Sequence, residues 1–234
     1  MEGDAAANHN LAHAVWRVNS QAICAAILAG ADPRGAMLPG QSYLLWLTSL
    51  PRCSGACDDV YQAVVLLLTG GAPVNDVDGT AGTMNYTPLH YAASRGNARL
   101  VRLLLSHGAD VDANTADGTT SLHYAAASGD SETVNALLEW NGVGVHRVNR
   151  AGQTALHYAA YNGHAAVVEA LVANGADAAA RDHTGKTALD YALAYEHHSC
   201  IPAMQPDVSF DDLLQSPCRS DTGDDEEGDF EDVL

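Results

Sequence analysis

Lysine is nearly missing from this chain: Lys186 stands alone beside ten arginines, and 11 bases face 29 acids for a formal charge of −18. So acidic a surface repels phosphate backbones, which argues against direct nucleic-acid binding. Long apolar runs are missing too, and nothing reads as a membrane span of about 18 residues. The opening Met1-Glu2-Gly3-Asp4 carries acid where a secretory signal carries base, and no apolar stretch follows directly. Cysteine is sparse and odd in number: Cys24, Cys53, Cys57, Cys200 and Cys218. Without a signal, these thiols are expected to stay reduced, which points to the cytoplasm or the nucleus. The sequon Asn85-Tyr86-Thr87 then reads as a chance match. No Ser-His-Asp or Cys-His set with a nucleophile elbow is legible, so no catalytic residue is assigned.

What is present is a repeat. Thr87-Pro88-Leu89-His90-Tyr91-Ala92-Ala93 recurs as Thr120-Ser121-Leu122-His123-Tyr124-Ala125-Ala126 and as Thr154-Ala155-Leu156-His157-Tyr158-Ala159-Ala160. A fourth copy, Thr187-Ala188-Leu189-Asp190-Tyr191-Ala192, follows, and the threonines lie 33, 34 and 33 residues apart. A second marker keeps step: Gly108-Ala109-Asp110, Gly142-Val143-Gly144 and Gly175-Ala176-Asp177. Within one period, Leu89, Ala92 and Ala93 share a helical face, and Ala98, Val101, Leu104 and Leu105 share another. Gly96 separates the two helices, and Gly108 stands where a left-handed cap is wanted.

This pattern resembles the ankyrin-repeat family, whose unit is a β-turn followed by two antiparallel helices. The resemblance implies an all-α ankyrin-repeat solenoid in which each unit buries its apolar side on a neighbour. The expected organisation is a degenerate N-terminal cap over 1–40 and a divergent repeat over 41–82. Repeats follow at 83–115, 116–149 and 150–182, then a truncated C-terminal cap at 183–204 and a disordered acidic tail at 205–234. In the divergent unit, Pro51 to Asp59 is expected to lengthen the inter-helix loop, and Gly71 to Gly108 spans 37 residues instead of 33. Pro202 is expected to end the array.

Several motifs suggest chemistry, and each has a plainer reading. His90, His123 and His157 occupy one repeat position, so layers roughly 8–10 Å apart separate them too far to share an ion bound at about 2 Å. The family resemblance implies instead that each histidine hydrogen-bonds its own turn and braces the next. Cys53 and Cys57 form a C-x3-C pair without a second ligand pair nearby, and His197-His198-x-Cys200 is equally thin. Thr184-Gly185-Lys186-Thr187 has the end of a phosphate loop, but Ala180 stands where that loop needs glycine. No metal and no cofactor is therefore assigned.

The resemblance also implies where a partner sits: on hairpin tips and on the inner helix face. Carried over by phase, these positions are Thr83, Met84, Tyr86, Ser94 and Arg95, then Ala116, Asp117, Thr119, Ala127 and Ser128. Arg150, Ala151, Gln153, Tyr161 and Asn162 follow, and finally His183, Thr184, Lys186 and Tyr195. Tyr86, Tyr161 and Tyr195 are candidate anchors. Arg95, Arg150 and Lys186 are a local reversal of sign suited to an acidic partner segment.

The tail holds 11 of the 29 acids and one base, Arg219, so residues 205–234 carry −10 and the remainder −8. That composition is expected not to fold alone. Val208, Phe210, Leu213 and Leu214 punctuate its acids, resembling transactivation segments, and its charge suits folding back on Arg95, Arg150 and Lys186. The expected function is a monomeric adaptor or scaffold that binds one protein on its concave face. A nuclear transcriptional co-regulator and a ubiquitin-ligase substrate receptor are the alternatives, the latter without a legible SOCS-box or F-box segment.

Overall fold

A computed structural model of the chain describes residues 2–50, 57–79, 84–140 and 142–205. The first unit pairs α1 (Glu2–Trp16) with α2 (Ser20–Leu28). An antiparallel hairpin, β1 (Ala36–Leu38) and β2 (Gln41–Ser42), leads to α3 (Tyr43–Ser49) and α4 (Cys57–Thr69). Three regular units follow: α5 (Pro88–Ser94) with α6 (Ala98–Ser106), α7 (Ser121–Ser128) with α8 (Ser131–Leu138), and α9 (Ala155–Tyr161) with α10 (Ala165–Ala173). The last unit holds α11 (Ala188–Ala194), a 3-10 turn at His198–Cys200 and the short α12 (Ile201–Met204).

Helices α5, α6 and α8 each begin on a residue whose side chain accepts an orphan N–H. The hydroxyl of Thr87 accepts from the His90 N–H at 3.4 Å, Asn97 Oδ1 from Leu100 at 3.1 Å, and Asp130 Oδ2 from Thr133 at 3.1 Å. Gly108, at φ +85°, supplies the left-handed turn that closes α6. Asn85 replaces the tip glycine and still adopts φ +60°, a conformation asparagine tolerates better than most residues.

Packing follows from the periodicity. On α6, Leu100, Val101, Leu104 and Leu105 are all at most 2% exposed, whereas Arg99 and Arg102 face outward. Each buried leucine stabilises the fold by about 1.5–3 kcal/mol relative to exposure. Ala92, Ala93, Ala125, Ala126, Ala159 and Ala160 are fully buried, and their small side chains let the first helices approach closely. The helices stack in two rows, α1, α3, α5, α7, α9 and α11 forming the inner one. In the outer row α2 rests on α4, α6 on α8, α8 on α10 and α10 on α12, while α4 and α6 meet mainly through Arg99 against Tyr61 and Asp58.

The ends depart from the sequence-level expectation. Residues 1–40 hold a complete helix pair, and Leu11, Ala14 and Val15 of α1 bury against the array. Helix α4 starts at Cys57, so the last part of the expected inter-helix loop is helical. Pro202 does not stop the array by breaking a helix. It lies in the first turn of α12, where its missing N–H costs nothing.

Candidate protein-binding face

The hairpin tips are built on one backbone plan. Asp78, Thr115, Asn149 and Asp182 donate their N–H groups to the carbonyls of Tyr86, Thr119, Gln153 and Lys186, at 2.9 to 3.0 Å. Three residues separate each pair except the first, where seven intervene, so the extra length of this repeat lies at its tip. Part of that tip, residues 80–83 including Thr83, lies outside the described residues. Neighbouring tips are joined as well. Ala116 donates to the Met84 carbonyl, Arg150 to Asp117 and His183 to Ala151, at 2.8 to 2.9 Å. The tips therefore form one hydrogen-bonded row, with Arg150 and His183 both exposed on it.

The repeat histidines hold this row to the helices. In each unit the threonine N–H donates to histidine Nδ1: Thr87 to His90 at 3.0 Å, Thr120 to His123 at 3.2 Å, Thr154 to His157 at 3.0 Å. With Nδ1 accepting, the proton sits on Nε2 and reaches across to the carbonyls of Ala113, Gln153 and Lys186 at 3.0 to 3.2 Å. Burial pushes His90 and His123 down to about 4 and lowers His157 as well, so all three are neutral braces near pH 7. A second histidine ladder was not anticipated from the sequence. His164 Nε2 meets the Ala127 carbonyl at 3.0 Å and His197 Nε2 that of Tyr161 at 2.9 Å, tying inner helix ends together. Its signal was the 33-residue step from His164 to His197.

Two of the expected contact residues do not belong to the face. Thr119 is 1% exposed and Gln153 6%, because the residue before each helix cap is covered by the following unit. Gln153 works inside the stack: its Oε1 accepts from Asn149 Nδ2 and its Nε2 donates to the Tyr191 hydroxyl, each at 3.3 Å. Lys186 holds the same position, yet it is exposed because no further hairpin covers it, and its Nζ lies 5.8 Å from the Tyr191 ring centre. Tyr86, also at this position, is half-buried against Tyr91 and Tyr124, with ring centres 5.2 and 5.4 Å away. Asp117 is half-buried too; burial raises its pKa, but bonds from Thr115 and Thr119 outweigh that and hold it below the usual carboxylate value.

The remaining candidates divide into two groups. At the C-terminal end, Tyr161 and Tyr195 meet edge to face with ring centres 4.5 Å apart, Tyr191 stands 6.1 Å from Tyr161, and exposed Asn162 adjoins them in sequence. Under this cluster Tyr191 donates to Asp182 Oδ2 at 2.6 Å; burial and that bond push its hydroxyl up to about 12. Towards the N-terminal end, exposed Arg95 donates to the Ser49 carbonyl at 3.3 Å, one unit back, and lies apart from Arg150 and Lys186 on the tips. The same end carries a pair that the phase argument passed over: Trp16 and Trp46 stack at 5.7 Å, with Trp16 64% exposed. Half-buried Met84 enters the tip row through its carbonyl.

Among the described residues no three His, Cys, Asp or Glu side chains cluster to hold an ion, and Cys53 lies outside them. Nor is any described helix long and apolar enough to cross a membrane.

A family model described as ankyrin repeats, in 3 copies, matches residues 54–149 and 125–209, which together make up more than half of the chain. The chain belongs to the ankyrin-repeat family. Among curated proteins it is 39% identical over 74 residues to a putative ankyrin repeat protein, FPV244, of fowlpox virus, covering 32% of this chain and 10% of that protein. It is 40% identical over 62 residues to the mouse B-cell lymphoma 3 protein homolog, covering 26% and 13%. A putative E3 ubiquitin-protein ligase of Arabidopsis thaliana, XBAT34, is 41% identical over 87 residues, covering 35% and 22%. The chain thus spans about a tenth to a fifth of these relatives. Ankyrin repeats are protein-interaction modules without catalytic machinery of their own, and that much of the function follows from membership.

Proposed function

We propose that this protein is an adaptor in the cytoplasm or nucleus that captures one protein segment along its inner face. The observation that carries this reading is the joined row of tips with an aromatic cluster beside it. Backbone hydrogen bonds fix the spacing of Arg150 and His183, so a partner meets a preorganised surface. Tyr161 and Tyr195 supply an amphipathic anchor of the kind that dominates interfaces. Lys186 and Arg150 add positive charge in a chain of net −18, favouring a segment that carries acid beside an apolar side chain. Half-buried Tyr86 and Met84 on the longer tip, with half-buried Asp117 on the next, border this surface.

The test is proximity labelling in cells with the full chain, compared with a variant carrying Tyr195→Ala, Arg150→Glu and Lys186→Glu. These side chains are exposed, so the variant is expected to fold with an unchanged thermal midpoint. A defined set of labelled proteins should disappear in the variant and bind the purified full chain directly. If both chains label the same proteins, the inner face is not the docking surface.

A further inference from the structure

Residues 79–109 contain Arg95, Arg99 and Arg102 and no acid, in a chain whose formal charge is −18. Arg99 and Arg102, about one turn apart on α6, lie on the outer row between Tyr61 of α4 and Glu132 of α8. A cleft of about 480 Å³ lies there, lined by Tyr61, Arg99, Arg102, Leu103, Ser106 and Glu132. Its lining sets the Tyr61 ring and Leu103 beside two guanidiniums, with Ser106 and one carboxylate, Glu132. The Arg99 guanidinium lies 3.8 Å from the Tyr61 ring centre, a stacking that orients its donors. Its present partner, Asp58, is 2.5 Å away, and Arg102 pairs with Glu132 at 2.8 Å. Both carboxylates are largely exposed, at 84% and 68%. Exposed pairs of this kind contribute about 0–1 kcal/mol, so incoming carboxylates can replace them with little loss.

We propose that this cleft docks the chain's own segment 227–232, Glu227-Gly228-Asp229-Phe230-Glu231-Asp232. Phe230 would enter over Leu103 beside Tyr61, and its flanking acids would meet Arg99 and Arg102. Three considerations select this occupant. Phe230 is one of only two phenylalanines in the chain and has an acid on each side. Charge agrees, since residues 205–234 carry −10 and the stretch 79–109 is purely basic. Reach agrees as well. Helix α12 stacks on α10 in the outer row, so the chain leaves the array on the side of the cleft. From α12 to α6 is three helix spacings, roughly 30 Å. A flexible chain of about 25 residues has a root-mean-square span of roughly 28 Å, and like charges extend it further, so position 230 can reach the cleft. Phe210, about six residues beyond α12, reaches only about 20 Å and falls short.

This docking is separate from the inner face and leaves it open. It differs from the expectation that the tail covers Arg95, Arg150 and Lys186, a contact that lies outside the described residues. Arg95 already donates to Ser49, and the Arg150 backbone adjoins acidic Asp117.

The test places the photo-cross-linker p-benzoylphenylalanine at position 230 of the full chain. Irradiation of dilute protein is expected to give intramolecular cross-links to peptides holding Tyr61 or Leu103. Arg99→Glu with Arg102→Glu should cut their yield at least fivefold, while Arg150→Glu with Lys186→Glu should leave it unchanged. Circular dichroism and thermal midpoints check that each variant is folded. Cross-links to the inner face, links between molecules only, no cross-link, or a yield indifferent to Arg99 and Arg102 would each overturn the proposal.

Discussion

Gln153 donates from its carboxamide to the hydroxyl of Tyr191, 3.3 Å away in the next unit, and the Tyr191 hydroxyl in turn donates to Asp182 Oδ2 at 2.6 Å. A residue that repeat phase assigns to the docking surface is thus a strut between units. Gln153→Leu should lower unfolding stability by about 1–3 kcal/mol through the unmade bonds of Asn149 and Tyr191. Partner affinity should stay within about threefold, and urea unfolding beside a direct binding titration separates the two effects.

The histidine braces make the array acid-sensitive. His90 and His123 are held down to about 4 by burial, whereas the unfolded chain protonates at about 6.5. Native protein therefore binds fewer protons than unfolded protein between these values. Stability is complete above pH 6.5 and is lost progressively as pH falls towards 4, by roughly 3 kcal/mol for each of the two histidines. Asp117 and Asp182, both held below the usual carboxylate range, add a further loss at still lower pH. Urea midpoints at pH 7.5, 6 and 5 should fall monotonically, and His123→Gln should flatten that slope while lowering the pH 7.5 value.

The repeat units were legible because a single motif sets cap, core and brace together: the threonine caps, the leucine and alanines bury, and the histidine spans. The face was legible only in part. Tyr86, Thr119, Gln153 and Lys186 share one phase, but their exposure depends on what the following unit lays over them, and phase carries no such information. Helix α1 escaped notice because its buried side is made of Leu11, Val15 and small alanines amid polar residues, a weak stripe. Trp16 and Trp46 are placed together by stacking of α1 on α3, a contact between degenerate units that share no motif.

Two glycines with similar backbone should respond differently to alanine. A Cβ on Gly129, at φ +76°, would stand 2.5 Å from the His164 ring, which is itself pinned to the Ala127 carbonyl. At Gly142, φ +101°, nothing lies within 4 Å. Gly142→Ala should therefore cost only the left-handed backbone term, about 1 kcal/mol. Gly129→Ala should cost more, about 2–4 kcal/mol, because the brace must shift as well. Thermal unfolding of both variants checks the order, and equal losses would mean that His164 gives way freely.

Tyr195 separates docking from stability most cleanly. It is 50% exposed, its ring meets Tyr161 at 4.5 Å, and it stacks over His197 at 6.4 Å. Removing a half-exposed ring at the end of an array disturbs only its contacts with Tyr161 and His197 and no core layer, so Tyr195→Ala should cost less than about 1 kcal/mol of stability. As an anchor in the proposed interface it should cost about 1–3 kcal/mol of affinity, a 5- to 150-fold rise in Kd for the partner found by labelling. Tyr195→Phe should recover most of that affinity if ring packing dominates. Should Tyr195→Ala bind as tightly as the natural chain, the anchor lies elsewhere on the inner row, with Trp16 and Trp46 as the next aromatic pair to vary.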